Sequence, residues 1–178
     1  LPASSAASDV YKRQMFSKIF PKIHVEGYKF LVISGIITIV FYIFSDFLAL
    51  LGLLLTIWVY YFFRDPERIT IDDDNYLVSP ADGEVIKVEE VDGPKELNLE
   101  NKRFRKISIF MNVFDCHVNR TPCAGKIEEI LYKPGKFLNA SFDKASEDNE
   151  RNYYKIKDNQ NNDIILVQIA GLVARRIV

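Results

Sequence analysis

The sequence has few of the residues from which metal sites and disulfide frameworks are built. Its 178 residues include only two cysteines and two histidines. Cys116 and Cys123 cannot supply the several bridges that hold a small secreted domain together. Together with His117 they make three metal ligands, and their spacing matches no common zinc pattern. We therefore predict reduced thiols and no metal site.

The chain is also nearly neutral and lacks the common catalytic motifs. The formal net charge is -1 at pH 7, which gives no reason to expect a nucleic-acid partner. The sequence contains no GxSxG, P-loop, GxGxxG or HExxH motif, so the enzyme classes built on those motifs have no support. It also shows no internal repeat and, after residue 65, no helical period of useful length.

One block is strongly apolar although the mean hydropathy of the chain is only -0.02. Residues 30–63 contain a single charged side chain, Asp46. One straight helix over this block would be about 50 Å long, whereas a hydrocarbon core is about 30 Å thick. We therefore predict a break at Ser45-Asp46 between two arms, Phe30–Phe44 and Phe47–Phe63.

Basic residues flank this block on both sides: Lys18, Lys22 and Lys29 before it, Arg64 and Arg68 after it. Positive flanks mark the cytoplasmic side of a membrane segment. The pattern predicts an α-helical membrane hairpin in the cell (inner) membrane with both ends in the cytoplasm. The alternative is a buried helix pair in a soluble protein, but so long an apolar run lacks the polar face of a soluble helix.

The chain is predicted to have three parts. Residues 1–14 have no apolar core typical of a signal peptide and precede Met15, so we expect a non-native leader there. Residues 15–64 would form an interfacial lead-in and the membrane hairpin. Residues 65–178 would form a β-rich domain on the cytoplasmic side.

Short apolar runs alternate with turn signals after residue 65, which indicates strands. Asp82-Gly83 and Asn161-Asn162-Asp163 are the clearest turns. The strand runs are YLVSPA, EVIKVEEV, FRKISIFMNVF, GKIEEILY, YYKIK and DIILVQIAG, with a final strand over 172–178. The expected fold class is mainly β: a compact barrel or sandwich, such as a lipoyl-like barrel-sandwich hybrid, preceded by the helical hairpin.

His117 is the one candidate for proton transfer that the residues themselves suggest. We expect it at the end of an apolar strand, beside Asp115 and close to Arg120. A histidine in such a setting can transfer protons near neutral pH. From the residues alone, a structural histidine is the commoner role. His24 lies in the lead-in and is interpreted as an interfacial residue.

An ordered set of motifs resembles the phosphatidylserine decarboxylase family, in particular its short bacterial and archaeal branch. The motifs are FFRDPER at 62–68, SPADG at 79–83, FMNVFDCHVNR at 110–120, the Pro122/Gly125 pair, SEDNERN at 146–152 and QIAGLVARRIV at 168–178. The resemblance implies a proenzyme that cleaves its own Gly-Ser bond. The serine becomes a pyruvoyl cofactor on a small α chain, whose ketone forms a Schiff base with phosphatidylserine and promotes loss of carbon dioxide.

The resemblance also implies roles for four residues. His117 matches the first histidine of the family's D-x-H motif and would transfer protons. Asp82 matches the aspartate of P-x-D-G and would activate the serine, although an aspartate there also builds turns. Arg120 stands where the longer branch has a second histidine, so two alternatives stay open: His117 acts in both proton-transfer reactions, or Arg120 binds the phosphate or the serine carboxylate of the lipid. Arg151 is a further headgroup candidate in a polar loop over 149–152.

The sequence contains no Gly-Ser dipeptide. In the family the cleavage site follows the motif that ends here at Val178, so the resemblance places the pyruvoyl-forming serine beyond Val178. We therefore expect the β-chain portion of a proenzyme, truncated before its cleavage site and inactive as it stands. The expected partners are phosphatidylserine, the bilayer and the protein's own α chain, with no nucleic acid; homo-oligomerisation is left open.

One alternative belongs to another functional class. SPADGEVIKV also resembles a lipoyl-like half-motif, which would make the chain a membrane-fusion adaptor protein without catalysis. That alternative predicts a coiled coil between residues 84 and 168, and no heptad run is visible there.

Overall fold

The computed structural model describes residues 20–71, 73–139 and 148–178. The predictions for residues 1–14 and for the lead-in up to residue 19 lie outside the described residues. Contacts divide the described chain into two compact units. The first contains residues 20–70 with 111–119, and the second contains residues 71–110 with 120–178. The helices lie in the first unit and the strands in the second.

The first unit contains two apolar helices, α1 (Gly27–Phe44) and α2 (Asp46–Phe62). Ser45 separates them because its backbone is extended, with φ of -171° and ψ of 139°. Its Oγ accepts a hydrogen bond from the Phe47 amide at 3.3 Å, which caps the start of α2. The predicted break at Ser45-Asp46 is therefore confirmed, and α1 begins three residues earlier than predicted.

Small and hydroxylated residues line the contact between α1 and α2. A Cβ atom on Gly52 would lie 2.9 Å from the Thr38 backbone, so only glycine allows this close approach. The Oγ1 atoms of Thr38 and Thr56 lie 3.0 Å apart across the helix pair. The carbonyls of Ser34 and Gly52 accept from these hydroxyls within each helix. The polar atoms thus face each other between the helices.

The residues before α1 are fastened to the end of α2. Ile23 and Arg64 form an antiparallel bridge, and the His24 amide donates to the Phe63 carbonyl at 2.9 Å. The Tyr60 hydroxyl donates to the Pro21 carbonyl at 2.7 Å. Hydrogen bonds to main-chain carbonyls therefore hold the residues before α1 against the end of α2.

In the second unit, the described residues form five antiparallel strands in two sheets. They are β1 (Glu84–Asp92), β2 (Arg103–Phe110), β3 (Gly125–Lys133), β4 (Arg151–Asp158) and β5 (Asp163–Ile169), with a short 3-10 helix over Lys95–Leu97 between β1 and β2. β1 pairs with β2, and β3, β4 and β5 form the second sheet in that order. Register shifts interrupt β1 after Val85 and β3 after Ile127.

The core of the second unit is small. Leu97 and Leu99, which belong to the connection between β1 and β2, are buried together with Tyr153 of β4. Phe104, Leu131 and Ile165 pack around them. Leu131 lies opposite Tyr153 in the register, so this cluster covers one face of the three-stranded sheet.

The mainly β character is confirmed in the second unit, with a correction near its start. Residues 76–81 were predicted as a strand, and the structure gives none there. Pro80 lacks an amide hydrogen, and this segment makes isolated main-chain bonds, with Asp73, Pro122 and Arg120, instead of a ladder. The turn before Asp163 is confirmed, with Asn161 at a φ of 67°. A barrel or sandwich stays a prediction.

The predicted final strand, residues 172–178, is also wrong. The backbone there folds on itself: the Gly171 amide donates to the Ala174 carbonyl at 2.9 Å, and the Arg175 amide donates to the Val173 carbonyl at 3.0 Å. Such local bonds replace the ladder that a strand would need. Val178, where we expected a strand to lead towards the cleavage site, is 69% exposed and belongs to no strand.

Asp163 should make the stability of this unit depend on acid pH. Bonds from Lys102 and Lys157 lower the pKa of its carboxyl from 3.8 to about 2. A lowered pKa contributes stability that is present above pH 4 and is lost as the pH falls towards 2. We expect Asp163→Asn to cost roughly 1–2 kcal/mol at pH 7, discounted for the exposed Lys102.

The measurement is thermal unfolding of the full-length protein in detergent at pH 7 and at pH 2. The difference between Asp163→Asn and the wild type should be several degrees at pH 7 and should shrink to a small fraction of that at pH 2. Asp92→Asn is the matched control, because Asp92 meets Arg103 with both side chains about two-thirds exposed. A difference that is the same at both pH values would contradict this account of Asp163.

Candidate functional site

The site is built on the loop between β2 and β3, part of which belongs to the first unit. β2 ends at Phe110, and Asn112 and Asp115 then hold a tight turn. The Asn112 amide donates to Asp115 Oδ2 at 2.8 Å, and the Phe114 amide donates to Asn112 Oδ1 at 2.8 Å. The Asp115 carboxylate thus orders the loop that leads to His117.

This loop is fastened to the end of α2 by three hydrogen bonds. The Trp58 indole donates through Nε1 to the Val113 carbonyl at 3.2 Å. Arg64 donates through Nη2 to the Phe114 carbonyl at 2.9 Å. The fully buried Cys116 thiol donates to the Arg64 carbonyl at 3.1 Å. The loop that carries His117 is therefore held directly on the apolar helix.

The His117 ring is stacked on Phe62. The ring centroids lie 4.1 Å apart and the planes make an angle of 22°. Nδ1 lies 3.1 Å from the Asp115 carbonyl. A carbonyl only accepts hydrogen bonds, so Nδ1 carries the proton and Nε2 carries the lone pair. The stack and this bond fix both the orientation and the tautomer of the imidazole.

The protonation state of His117 follows from its surroundings. Burial of the ring lowers its pKa below the usual 6.5. The bond to the Asp115 carbonyl and the Asp115 charge oppose this shift, and the Arg64 charge adds to it. His117 is therefore neutral at pH 7, and its Nε2 can accept a proton. This is the chemistry needed for a general base.

The structure corrects the predicted position of His117. It was expected at the end of a strand, but β2 ends seven residues earlier, at Phe110. The chain leaves the sheet because the Asn112-Asp115 turn replaces the ladder with side-chain bonds to the backbone. The loop that follows contacts α2, because the His117 ring stacks on Phe62 and Trp58 donates to the Val113 carbonyl.

Asp82 and Arg120 lie in the second unit. Asp82 is half-buried in the bend that precedes β1. The Arg120 amide donates to the Pro80 carbonyl at 2.9 Å, and the Val78 amide donates to the Pro122 carbonyl at 2.8 Å. These main-chain hydrogen bonds therefore join the segment before Asp82 to the segment that contains Arg120.

Arg151 is not in a solvated loop, as was predicted, because it is the first residue of β4 and is 9% exposed. Its Nε donates to the Asn149 carbonyl at 3.2 Å, and Nη1 donates to the Tyr153 hydroxyl at 3.4 Å. Its buried Nη2 has no protein partner among the described residues. Asn149 is also buried and bonds to the Leu138 and Ala170 carbonyls.

The pyruvoyl-forming serine was expected beyond Val178, and it therefore has no place among the residues of this structure. Its position in the chain stays a prediction. What the structure does provide is the last strand before that point, β5, which pairs with β4 from Asp163 to Ile169.

The sequence indicated His117 but not the residues that hold it. Trp58 and Phe62 were assigned to the second apolar arm and Arg64 to its basic flank, and neither assignment implies a site. They meet the loop across about fifty residues of chain. The FMNVFD run carried a partial signal, since an exposed Phe114 beside two turn-forming residues is unusual at the end of a strand.

Comparisons with known proteins give consistent matches. The family model described as phosphatidylserine decarboxylase matches residues 55–178. A protein of Pelagibacter ubique named phosphatidylserine decarboxylase proenzyme is 76% identical over 164 residues, which cover 92% of this chain and 76% of that protein. Proteins with the same name from Ruegeria pomeroyi and Cereibacter sphaeroides are 52% and 49% identical; they match 87% and 92% of this chain and 71% of their own lengths.

Proposed function

The chain belongs to the phosphatidylserine decarboxylase family, and on this premise we propose that it is the membrane-bound β-chain portion of a carboxy-lyase that converts phosphatidylserine to phosphatidylethanolamine and carbon dioxide. One observation carries the proposal. A neutral imidazole, His117, is fixed on the aromatic end of an apolar helix, where a lipid headgroup would lie. A soluble substrate would not require this placement.

We propose that α1 and α2 form a hairpin in the membrane. Helix α1, with 18 residues, is long and apolar enough to cross a membrane by length and composition, and α2 has 17 residues. Their outer side chains are exposed in the structure, among them Ile39, Ile43, Phe44 and Phe47. Such a surface is stable in lipid and unfavourable in water. The basic flanks support a cytoplasmic position for both ends.

The residues of the chain fit the cofactor that the family implies. A pyruvoyl group, once formed from a serine, supplies an electron sink for the loss of the carboxylate. Proton transfer at that group would fall to His117, whose Nε2 accepts a proton in the neutral ring and can donate it afterwards. These 178 residues contain no Gly-Ser dipeptide, so we propose that the serine belongs to a part of the proenzyme beyond Val178.

The remaining side chains have proposed roles in processing and binding. Asp82 would draw the proton from the serine hydroxyl during self-cleavage, because it is an acidic group at a rigid bend. Arg120 would bind the phosphate or the serine carboxylate, since guanidinium pairs with both. The buried Nη2 of Arg151 supports a similar role for that residue, because a buried donor costs free energy unless it meets an acceptor.

Expression of the full-length protein tests this function. We expect two fragments, the smaller one blocked to Edman degradation, and conversion of phosphatidylserine to phosphatidylethanolamine in detergent micelles. An uncleaved chain that binds lipid without converting it would contradict the proposal.

A further inference from the structure

An apolar groove runs along α2 beside the loop after β2, entirely within the first unit. Its volume is about 490 Å³. Its lining follows the chain of α2 from Leu54 and Ile57 past Trp58 to Arg64 and includes Phe114 of the loop. Leu54 and Arg64 are ten residues apart, so the groove extends over roughly 15 Å of helical rise.

The groove has the polarity of a phospholipid. Its apolar end points towards the start of α2, which would lie deeper in the bilayer, and its charged end is at the cytoplasmic headgroup level. The Arg64 guanidinium is held by the carbonyls of Tyr61, at 2.6 Å, and Phe114, at 2.9 Å. These bonds use two of its five N–H donors and fix the guanidinium at the mouth of the groove.

Phe114 lines this groove and is 73% exposed. The Asn112-Asp115 turn and the bond from Trp58 to the Val113 carbonyl hold it at the level of the last turns of α2. An exposed aromatic ring in such a fixed turn is unfavourable in water and is stabilised at a membrane interface. The same loop ends at His117, so a lipid in the groove would have its headgroup near the imidazole.

We propose that this groove binds one acyl chain of an anionic diacyl phospholipid, with the chain against Phe114 and the lipid phosphate on Arg64. The inference rests on the proposed function, because it takes the substrate to be such a lipid. It makes Trp58, Arg64 and Phe114 substrate-positioning residues. The end of the membrane helix thus selects and orients the lipid that His117 acts on.

Trp58 is the only tryptophan in these 178 residues, so its fluorescence reports from the groove once any tryptophan beyond Val178 is replaced by phenylalanine in the full-length protein. The full-length protein in phosphatidylcholine vesicles would receive a small fraction of phosphatidylserine with brominated acyl chains, or the same fraction of brominated phosphatidylcholine. We expect at least twofold more quenching by the anionic lipid. Phe114→Ala and Arg64→Gln should remove the excess, whereas Phe47→Ala and Arg68→Gln should keep it.

Equal quenching by both brominated lipids in the wild type would overturn the groove assignment. Excess quenching by brominated phosphatidylglycerol as well would support it and would assign the recognition to the net negative charge of the lipid, because phosphatidylcholine carries the same phosphate with a compensating cation. Excess quenching by phosphatidylserine alone would also support it and would assign the recognition to the serine.

A kinetic experiment separates failure of the groove from failure of the proposed function. Phe114→Ala should raise KM for long-chain phosphatidylserine about fivefold to tenfold and change that for dihexanoyl phosphatidylserine less than about twofold. Equal effects on both substrates would overturn the groove. A wild type that shows preferential quenching and no decarboxylation would instead overturn the proposed function.

Discussion

Replacing His117 by asparagine or phenylalanine should lower the formation of phosphatidylethanolamine by about 10²–10⁴-fold. The neutral Nε2 of His117 is the proposed proton-transfer atom, and the structure holds its ring against Phe62 of α2. Asparagine is small and polar, whereas phenylalanine keeps the stack on Phe62. Equal loss in both variants would therefore separate proton transfer from packing. The measurement is the initial rate in mixed micelles, with fragment formation followed on the same samples.

The chain offers a matched control for this prediction. His24 is the other histidine, and its amide donates to the Phe63 carbonyl, a bond that a side-chain change leaves in place. His24→Asn should keep the rate within about twofold of the wild type. A His117 variant that is processed and turns over at the wild-type rate would contradict the role assigned to the imidazole.

The pH dependence should follow from the lowered pKa of His117. Because burial favours the neutral ring, the base form persists below pH 6.5, and the rate should decline only at more acidic pH. This decline at acidic pH should be absent in the His117 variants, because they have no imidazole at position 117. We expect their residual rate to vary little over the same pH range.

Replacing Asp82 by asparagine should stop self-cleavage, so that the full-length chain accumulates as one band. Asparagine is as suited to a turn as aspartate but is not a base at neutral pH. The variant should therefore fold with an unchanged Tm and fail only in processing. Gel analysis over several hours after synthesis, with cleavage expected to be about a hundredfold slower, is the measurement.

Gly83 provides the contrast that separates chemistry from folding at this bend. A Cβ atom at position 83 would lie 2.4 Å from the Phe110 carbonyl oxygen, so the backbone itself would have to move. Gly83→Ala should lower Tm as well as processing. If Asp82→Asn is cleaved at the wild-type rate, Asp82 builds the turn only and another group activates the serine.

Those parts of the fold that depend on neighbouring residues could be predicted from the sequence. Ser45-Asp46 interrupts an apolar run too long for one span, and the structure breaks the helix there. The polar run before Asp163 predicts a turn, and Asn161 adopts the left-handed conformation that is common in such turns. In both places local chemistry decides the conformation.

Elements that depend on distant partners could not be predicted. The segment that ends at Val178 is apolar enough for a strand, but a strand also needs a neighbour, and β5 ends at Ile169. Arg151 stands in a polar run that is typical of a loop. It lies buried in β4 because the Tyr153 hydroxyl and the Asn149 carbonyl accept hydrogen bonds from its guanidinium group. Such contacts leave no local pattern in the sequence.

The site shows the same division. His117 was indicated by its rarity and its neighbours, and its role came from the resemblance to the family. Its attachment to Phe62 and Trp58 was not foreseen, because those residues were fully explained as parts of a membrane segment. The adaptor alternative is no longer supported, because the chain belongs to the phosphatidylserine decarboxylase family. The apolar helices therefore have two proposed roles: they hold the protein at the lipid, and α2 positions the catalytic loop.

The most direct test of this account is release of labelled carbon dioxide from carboxyl-labelled phosphatidylserine in vesicles that contain the full-length protein. We predict release that requires the cleaved protein, is lost in His117→Phe, and does not occur with free labelled serine. Cleaved protein that releases no carbon dioxide from the vesicles, or that does so equally well without His117, would contradict it.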